Sequence, residues 1–388
     1  MPDHIPPAQP GRKTIHAPVG SPAFPRRRAF IAGAAVAVAG ALIGGGAVAL
    51  NSASHGSEAQ AAAPAGAAPE LRLGYFGNVT HAPALVGLQQ GLFAKELGST
   101  RLSTQVFNAG PAAVEALNAG AIDAAYLGPN PAINSFVKSK GNSIRVIAGA
   151  ASGGAQLVVK PGINTAADLK GKVLASPQLG GTQDVALRSW LAKQGLKAAT
   201  TGGGDVTVNP TGNAQTLKLF QDGKLDGAWL PEPWASRLVL QAGAKVLVDE
   251  KSLWDKGQFT TTILIVNKDF LAKYPDTVKA LLKGHVAAVS WLTDNAADVA
   301  KETSVINAAL EKAAGTPLPG DVLRRALKNL TFTSDPLAGS WKKLLQDGVD
   351  AGLTQQADLA GIFDLASLNA VLEDAGKSAV SASGLGKD

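Results

Sequence analysis

Cysteine does not occur among the 388 residues. Within these residues that excludes thiolate catalysis, disulfides, cysteine-ligated metal and lipid attachment through cysteine. Histidine is scarce as well: of five, only His81 and His285 lie beyond the first 60 residues. A metal site needs several imidazoles or carboxylates converging, and neither histidine has such neighbours in sequence. Catalytic signatures are missing too, with no G-x-S-x-G, no G-x-x-x-x-G-K-[ST] and no H-E-x-x-H. The glycine run starting at Gly202 lacks the third glycine of a dinucleotide fingerprint and precedes a strand instead of following one. Net charge is only +6, and the first 60 residues hold five basic against two acidic side chains, leaving the rest near +3. No basic block suggests a nucleic-acid partner.

Arg26, Arg27 and Arg28 stand just before Ala29, Phe30 and Ile31, and residues 29–50 are uncharged and rich in Ala and Gly. A basic region, a weakly apolar core and the small-residue site Ala59-Gln60-Ala61 predict an export signal over residues 1–61. Its paired arginines are those of a twin-arginine signal, which carries folded protein. An uncleaved anchor is the alternative, because 22 uncharged residues are long enough to cross a bilayer core of about 30 Å. Both readings place the folded part outside the cytoplasm, in the periplasm or at the cell surface. Residues 62–70, mostly Ala, Pro and Gly, read as a disordered spacer.

Beyond the spacer the chain exceeds the usual single-core size of roughly 250–300 residues, so two lobes are expected. Short apolar strands at 71–76, 102–107, 122–127 and 144–148 alternate with helices that start near Pro83, Pro111 and Pro131 and stop at Gly91, Gly120 and Gly141. That alternation predicts an α/β architecture with helices on both faces of each sheet. Two more extended runs, 156–159 and 264–267, are candidates for crossovers between lobes. The pattern then repeats at an offset of 103, pairing Gly120 with Gly223, Asp123 with Asp226, Tyr126 with Trp229 and Leu127 with Leu230. In open α/β sheets ligands settle outside the carboxyl ends of strands. Four loops therefore converge: 77–81, 128–131, 180–183 and 230–234. Each precedes a helix, whose first N–H groups and dipole favour a negative group, and small uncharged residues let a ligand approach the backbone.

The segments "LRLGYFGNVTHAPALVGLQQGLF", "EALNAGAIDAAYLGPNPAI", "ADLKGKVLASPQLGGTQDVALRSWLAKQGL", "DGAWLPEPWASRL" and "LIVNKDFLAKYPDTVKALL" occur in that order. Together they resemble the nitrate, sulfonate and taurine family of substrate-binding proteins of ABC importers. The resemblance implies a two-lobed periplasmic-binding-protein fold of the second type, each lobe a mixed sheet flanked by helices, closing on one small solute in the cleft. It implies residues 71–157 with 265–380 as lobe 1, 158–264 as lobe 2 and 381–388 as a disordered tail. A monomer with a membrane permease and an ATPase as partners is implied too, with no cofactor, no metal and no chemistry of its own. Many Gram-positive members are lipoproteins, and this chain has no cysteine to lipidate.

The candidate ligand-binding residues are Asn78, Thr80, His81, Gly128, Asn130, Gly181, Thr182, Gln183, Glu232 and Trp234. Asn and Thr suit ligand hydrogen bonds but also cap helices and turns. His81 is read as a hydrogen-bonding group at a helix start, against a plain structural role. Glu232 disfavours a bare anion and suits the ammonium of a taurine-like zwitterion, unless it points away. Trp234 is placed in the cleft and Trp229 in the core, while Asp184, Arg188 and Arg237 are read as structural or paired charges. The expected ligand is a small oxyanionic organic compound, an aliphatic or aryl sulfonate. Nitrate, bicarbonate, taurine or an aromatic carboxylate are the alternatives in the same role, and an enzyme acting on pyrimidine precursors is the rival from another class.

Overall fold

The computed structural model describes residues 66–388, so the export signal read at 1–61 lies outside the described residues. The strands are β1 (Glu70–Phe76), β2 (Arg101–Phe107), β3 (Ala124–Leu127), β4 (Ile144–Gly153), β5 (Ala155–Val159), β6 (Val173–Ser176), β7 (Thr207–Pro210), β8 (Gly227–Pro231), β9 (Lys245–Asp249) and β10 (Thr260–Asn267). Among them run α1 (Ala82–Gln89), α2 (Leu92–Leu97), α3 (Gly110–Asn118), α4 (Pro129–Lys138), α5 (Thr182–Lys193), α6 (Asn213–Gln221) and α7 (Trp234–Ala242). The rest is mainly helical: α8 (Lys268–Lys273), α9 (Pro275–Asn295), α10 (Val299–Ala314), α11 (Gly320–Lys328), α12 (Trp341–Asp350) and α13 (Ala366–Asp374). Three short strands, β11 (Leu330–Phe332), β12 (Phe363–Asp364) and β13 (Gly386–Lys387), complete it.

Both sheets follow one plan. The first runs β2-β1-β3-β10-β4 and continues through β12 and β13, with β11 pairing β4; the second runs β7-β6-β8-β5-β9. In each, the first three strands are parallel and the fourth is antiparallel to its neighbours. That antiparallel strand arrives from the other lobe: β5 follows β4 directly, and β10 follows β9 through residues 250–259. The first crossing turns on Gly153 and Gly154, whose φ of +79° and +71° strain any other residue. The runs at 156–159 and 264–267 are therefore the arriving strands, not the crossings. Lobe boundaries consequently fall near 154 and 260 instead of 157 and 264.

The repeat extends to the joints. Asp123 accepts the Arg72 N–H at 2.8 Å and Asp226 accepts the Val173 N–H at 3.0 Å, pinning β1 at its third residue and β6 at its first. A cation holds each aspartate in place, Arg72 at 2.5 Å and Lys160 at 3.2 Å. Helices α3 and α6 start at Gly110 and Asn213, and β3 and β8 at Ala124 and Gly227, both pairs 103 residues apart.

Strand alternation divides the second lobe into two cores. Leu157, Leu174 and Trp229 pack beneath α5, whereas Val158, Ala175, Ala228 and Leu230 face α6 and α7. In the first lobe α9 and α10 cover α1, and their Val278, Leu281, Leu282 and Ile306 join its core. Two helices of the C-terminal region do more than buttress that lobe: α11 reaches α7 and α12 reaches α5, both in lobe 2.

Residues 66–70 of the expected spacer and all of the expected disordered tail are ordered. Ala68 is buried and donates its N–H to Thr277 Oγ1 at 2.7 Å, and Glu70 already belongs to β1. At the other end β13 pairs with β12, and Ala382 and Leu385 are buried. Small residues and glycine give no hydrophobic periodicity, but backbone pairing and shallow burial suffice to dock them.

Candidate functional site

Between the lobes lies an inner cavity of about 30 Å³. A water needs roughly 10–15 Å³ on this measure, so it fits two or three water-sized groups. Asn78, Thr80, His81, Gly128, Gly181, Thr182 and Gln183, seven of the ten residues expected from sequence, line it. The loop after β1, the end of β3 and the first turn of α5 bring them together. No lining residue is a Lys, Arg, Asp or Glu. Helices α3, α5 and α6 begin at the lining residues Gly110, Thr182 and Asn213, so their unpaired first-turn N–H groups converge here.

The polar lining is poised to donate. His81 stacks on Phe76 with ring centres 4.2 Å apart, and its Nδ1 accepts the Phe76 N–H at 3.3 Å. Burial pushes its pKa down to about 3, so the ring is neutral and its proton sits on Nε2 as a donor. Thr182 Oγ1, Thr262 Oγ1 and Asn213 Oδ1 are buried without a hydrogen-bond partner among the described residues. All three residues line this cavity, Thr262 from lobe 1 and the other two from lobe 2. Buried polar groups are nearly always paired, so three orphans on one cavity mark a place where a polar guest belongs.

The remaining three expected residues are not brought there. Asn130 is buried, donates Nδ2 to the Leu344 carbonyl at 3.0 Å and lines the adjoining cavity instead of this one. Glu232 faces α11: its carboxylate accepts from Arg325 at 3.2 Å, Asn329 at 2.6 Å and the Ser236 N–H at 3.1 Å. Its burial raises the pKa, opposed by those hydrogen bonds. Trp234 donates Nε1 to Asn78 Oδ1 at 2.9 Å and carries the Arg237 guanidinium 4.6 Å above its ring, so it braces the cleft loop. Trp229 is fully buried, donating to Glu250 Oε2 at 2.8 Å. Arg188 is a buried partner of Asp184 at 3.1 Å. Asp184 also accepts from Ser176 Oγ and the Gly180 N–H, which sets the loop before α5.

Asn213, Thr262, Thr261 and Asn108 line the cavity without having been singled out from sequence. Asn213 had a signal, since the repeat sets it opposite Gly110 at a helix start; the threonines sit inside an apolar strand and had none.

A second cavity of about 320 Å³ adjoins the first at Thr182 and runs along α5. Trp190, Glu250, Trp254 and Leu344 are among its walls. Helix α12 roofs it: Asp347 accepts from Ser189 at 2.9 Å, Lys193 at 2.6 Å and Lys343 at 2.8 Å, while the Lys343 ammonium lies 3.6 Å above Trp254. Burial raises the Glu250 carboxyl to about 7, with the Trp229 and Trp254 indoles opposing the shift. Among the described residues no cluster of His, Asp and Glu could hold a metal ion.

Two α/β lobes that exchange one strand each around a polar cleft define the two-lobed fold of periplasmic solute receptors. The chain belongs to the NMT1-like family, whose model matches residues 65–307. It is 30% identical over 210 residues to the taurine-binding periplasmic protein of Escherichia coli (strain K12), covering 53% of this chain and 62% of that one. It is 30% identical over 234 residues to a putative aliphatic sulfonates-binding protein of the same organism, covering 59% and 67%. The match to the first spans under two thirds of that relative's length. Among solved structures, the alkanesulfonate-binding protein SsuA from Xanthomonas axonopodis pv. citri, bound to MOPS, superposes with a TM-score of 0.61 at 24% identity, covering 75% of this chain and 96% of that one. That likeness establishes the fold.

Proposed function

We propose that this protein is the extracytoplasmic solute-binding component of an ABC importer and captures a small organic oxyanion, a sulfonate, by closing its lobes. The observation that carries the reading is the set of orphaned side-chain oxygens, Thr182, Asn213 and Thr262, drawn from both lobes onto one uncharged cavity. Each hydroxyl donates to an oxyanion, the Asn213 amide does so after a half-turn that presents its nitrogen, and neutral His81 adds Nε2–H. Three helix N-termini supply partial positive charge in place of a side-chain cation. A guest held by both lobes stabilises the shut form, because only there does it touch both. The names of the relatives support the solute class and the role, and imply a permease and an ATPase as partners. The paired arginines at Arg27 and Arg28 support export by the twin-arginine route. The basic nitrogen of His81 is taken by the Phe76 N–H and so does not activate the lining hydroxyls, which supports capture over catalysis.

The size of the inner cavity also favours a second reading, a bare inorganic oxyanion such as nitrate in the same role. Thermal melting of the purified full chain decides between them. Methanesulfonate and taurine are set against nitrate, sulfate and bicarbonate, since a ligand of the folded state raises stability by mass action. A saturable rise with a sulfonate, lost in Thr182→Val, is the expected result. A rise with nitrate or bicarbonate alone selects the second reading, and a flat panel removes both.

A further inference from the structure

We propose that the 320 Å³ cavity along α5 receives the organic tail of the captured oxyanion and that this tail is an aromatic ring. The inference rests on the sulfonate reading above and specifies which sulfonate. Size comes first: the inner cavity admits two or three water-sized groups, enough for an oxyanion head and nothing more. Its neighbour is about twice the roughly 150 Å³ that encloses benzene in a protein core. Continuity comes next. Thr182 lines both cavities, and the outer one follows Val185, Ala186, Ser189, Trp190 and Lys193, a single stripe of α5 at helical spacing. A head group resting on the first turn of α5 thus points its substituent down that stripe.

The walls supply the chemistry. Trp190 from lobe 2 supplies the indole, while Trp254 from the second crossover lines the wall with Lys343 3.6 Å over its ring and Phe259 stacked on it, and Leu253 and Leu344 add apolar surface. Aromatic faces pair with a flat ring in offset or edge-on stacks, a gain a flexible alkyl chain does not share. Lobe 2, the crossover and α12 of lobe 1 each contribute to the enclosure. A ring seated there therefore bridges the lobes as the head group does, and adds to closure.

Isothermal titration of the purified full chain with methanesulfonate and with benzenesulfonate tests this. Burial of a ring makes benzenesulfonate bind roughly ten- to a hundred-fold tighter. Ala186→Trp, which fills the cavity from α5, erases that margin while leaving methanesulfonate within about three-fold, because its head group does not enter the stripe. Trp190→Leu weakens benzenesulfonate alone; melting curves confirm that both variants fold. Equal wild-type affinity for the two ligands, or an equal loss of both in the variants, overturns the tail assignment and leaves the sulfonate reading standing. If neither sulfonate binds, the sulfonate reading falls and the tail assignment with it.

Discussion

The indole nitrogen of Trp234 lies 2.9 Å from Asn78 Oδ1 and joins the start of α7 in lobe 2 to the cleft loop of lobe 1. A second link runs alongside, from the Thr80 N–H to the Glu232 carbonyl at 3.4 Å. Both join residues of different lobes, so a motion that parts the lobes at this point breaks them. Trp234→Phe keeps the ring and deletes the donor. A neutral hydrogen bond contributes about 0.5–1.5 kcal/mol net, so calorimetric affinity should drop roughly two- to ten-fold. An unchanged affinity would show that the contact does not bias closure.

Gly128 gives a sharper handle on closing. It has an ordinary extended backbone at φ −80°, yet an added Cβ would overlap Thr182 Oγ1 across the cleft. Gly128→Ala should therefore fold with a melting temperature within a few degrees of wild type, the usual outcome where backbone conformation is compatible. Ligand affinity should fall by about ten-fold or more, the cost of holding two packed surfaces apart. Scattering in the presence of saturating ligand would show a larger radius of gyration than the wild-type complex. A variant that binds normally would mean that Thr182 yields without cost.

Glu232 is a stability residue on this geometry. Its side chain is fully buried against Arg325, Asn329 and the Ser236 N–H, and Arg325 further donates to Gln156 at 2.9 Å and Ser236 Oγ at 2.8 Å. Removing one partner of a buried pair leaves an unpaired charge, and the partial exposure of Arg325 places Glu232→Ala near the lower end of the range, about 3 kcal/mol. Urea unfolding measures it. A loss below 1 kcal/mol would show that water replaces the carboxylate.

Acid and base pull on different groups. Burial lowers His81 to about 3 and His285 to about 4, both below the ordinary value of 6.5. Below pH 6.5 the unfolded chain gains protons that the folded one refuses, so stability falls as the pH drops from 6.5 toward 4. Glu250 runs the other way. Raised from 4.5 to about 7, it keeps its proton in the fold while the unfolded chain loses it, so its contribution is full below 4.5 and is lost as the pH rises through 7. Glu250→Gln mimics the protonated form and should match wild type near pH 4.5. By pH 8 it should exceed wild type by on the order of 3 kcal/mol, the linkage value for a shift of this size. A difference that does not change with pH would refute the burial argument.

Much of this architecture is legible in the sequence, and the reason is visible in particular residues. Asp123 and Asp226 recur because each holds a backbone N–H near the start of the strand next to its lobe's edge, so the joint left a mark in the sequence as well as in space. Seven cavity residues were found because they lie at strand ends and helix starts, positions that chain order alone assigns to a cleft. Side-chain direction is a different matter. Glu232 and Trp234 sit in the right loop, but their partners Arg325 and Asn78 are distant in sequence, and those partners turn them away from the cavity. Thr262 went unnoticed for the opposite reason, since a hydroxyl inside a buried strand looks like a filler until its neighbours are known to leave it unpaired. The ordered tail was hidden because β13 docks by backbone pairing, which glycine and lysine do not announce.

The inner cavity has no ionised side chain, and this bears on departure as much as on arrival. A receptor that grips its cargo with an arginine or lysine strands that cation in a dry crevice whenever the cargo leaves, and desolvated lone charges are costly. Hydroxyls, an amide and helix ends can be rehydrated by a few waters as the lobes part. Handing the solute on thus faces only a shallow penalty, and ionic strength should have little grip on either direction of the exchange.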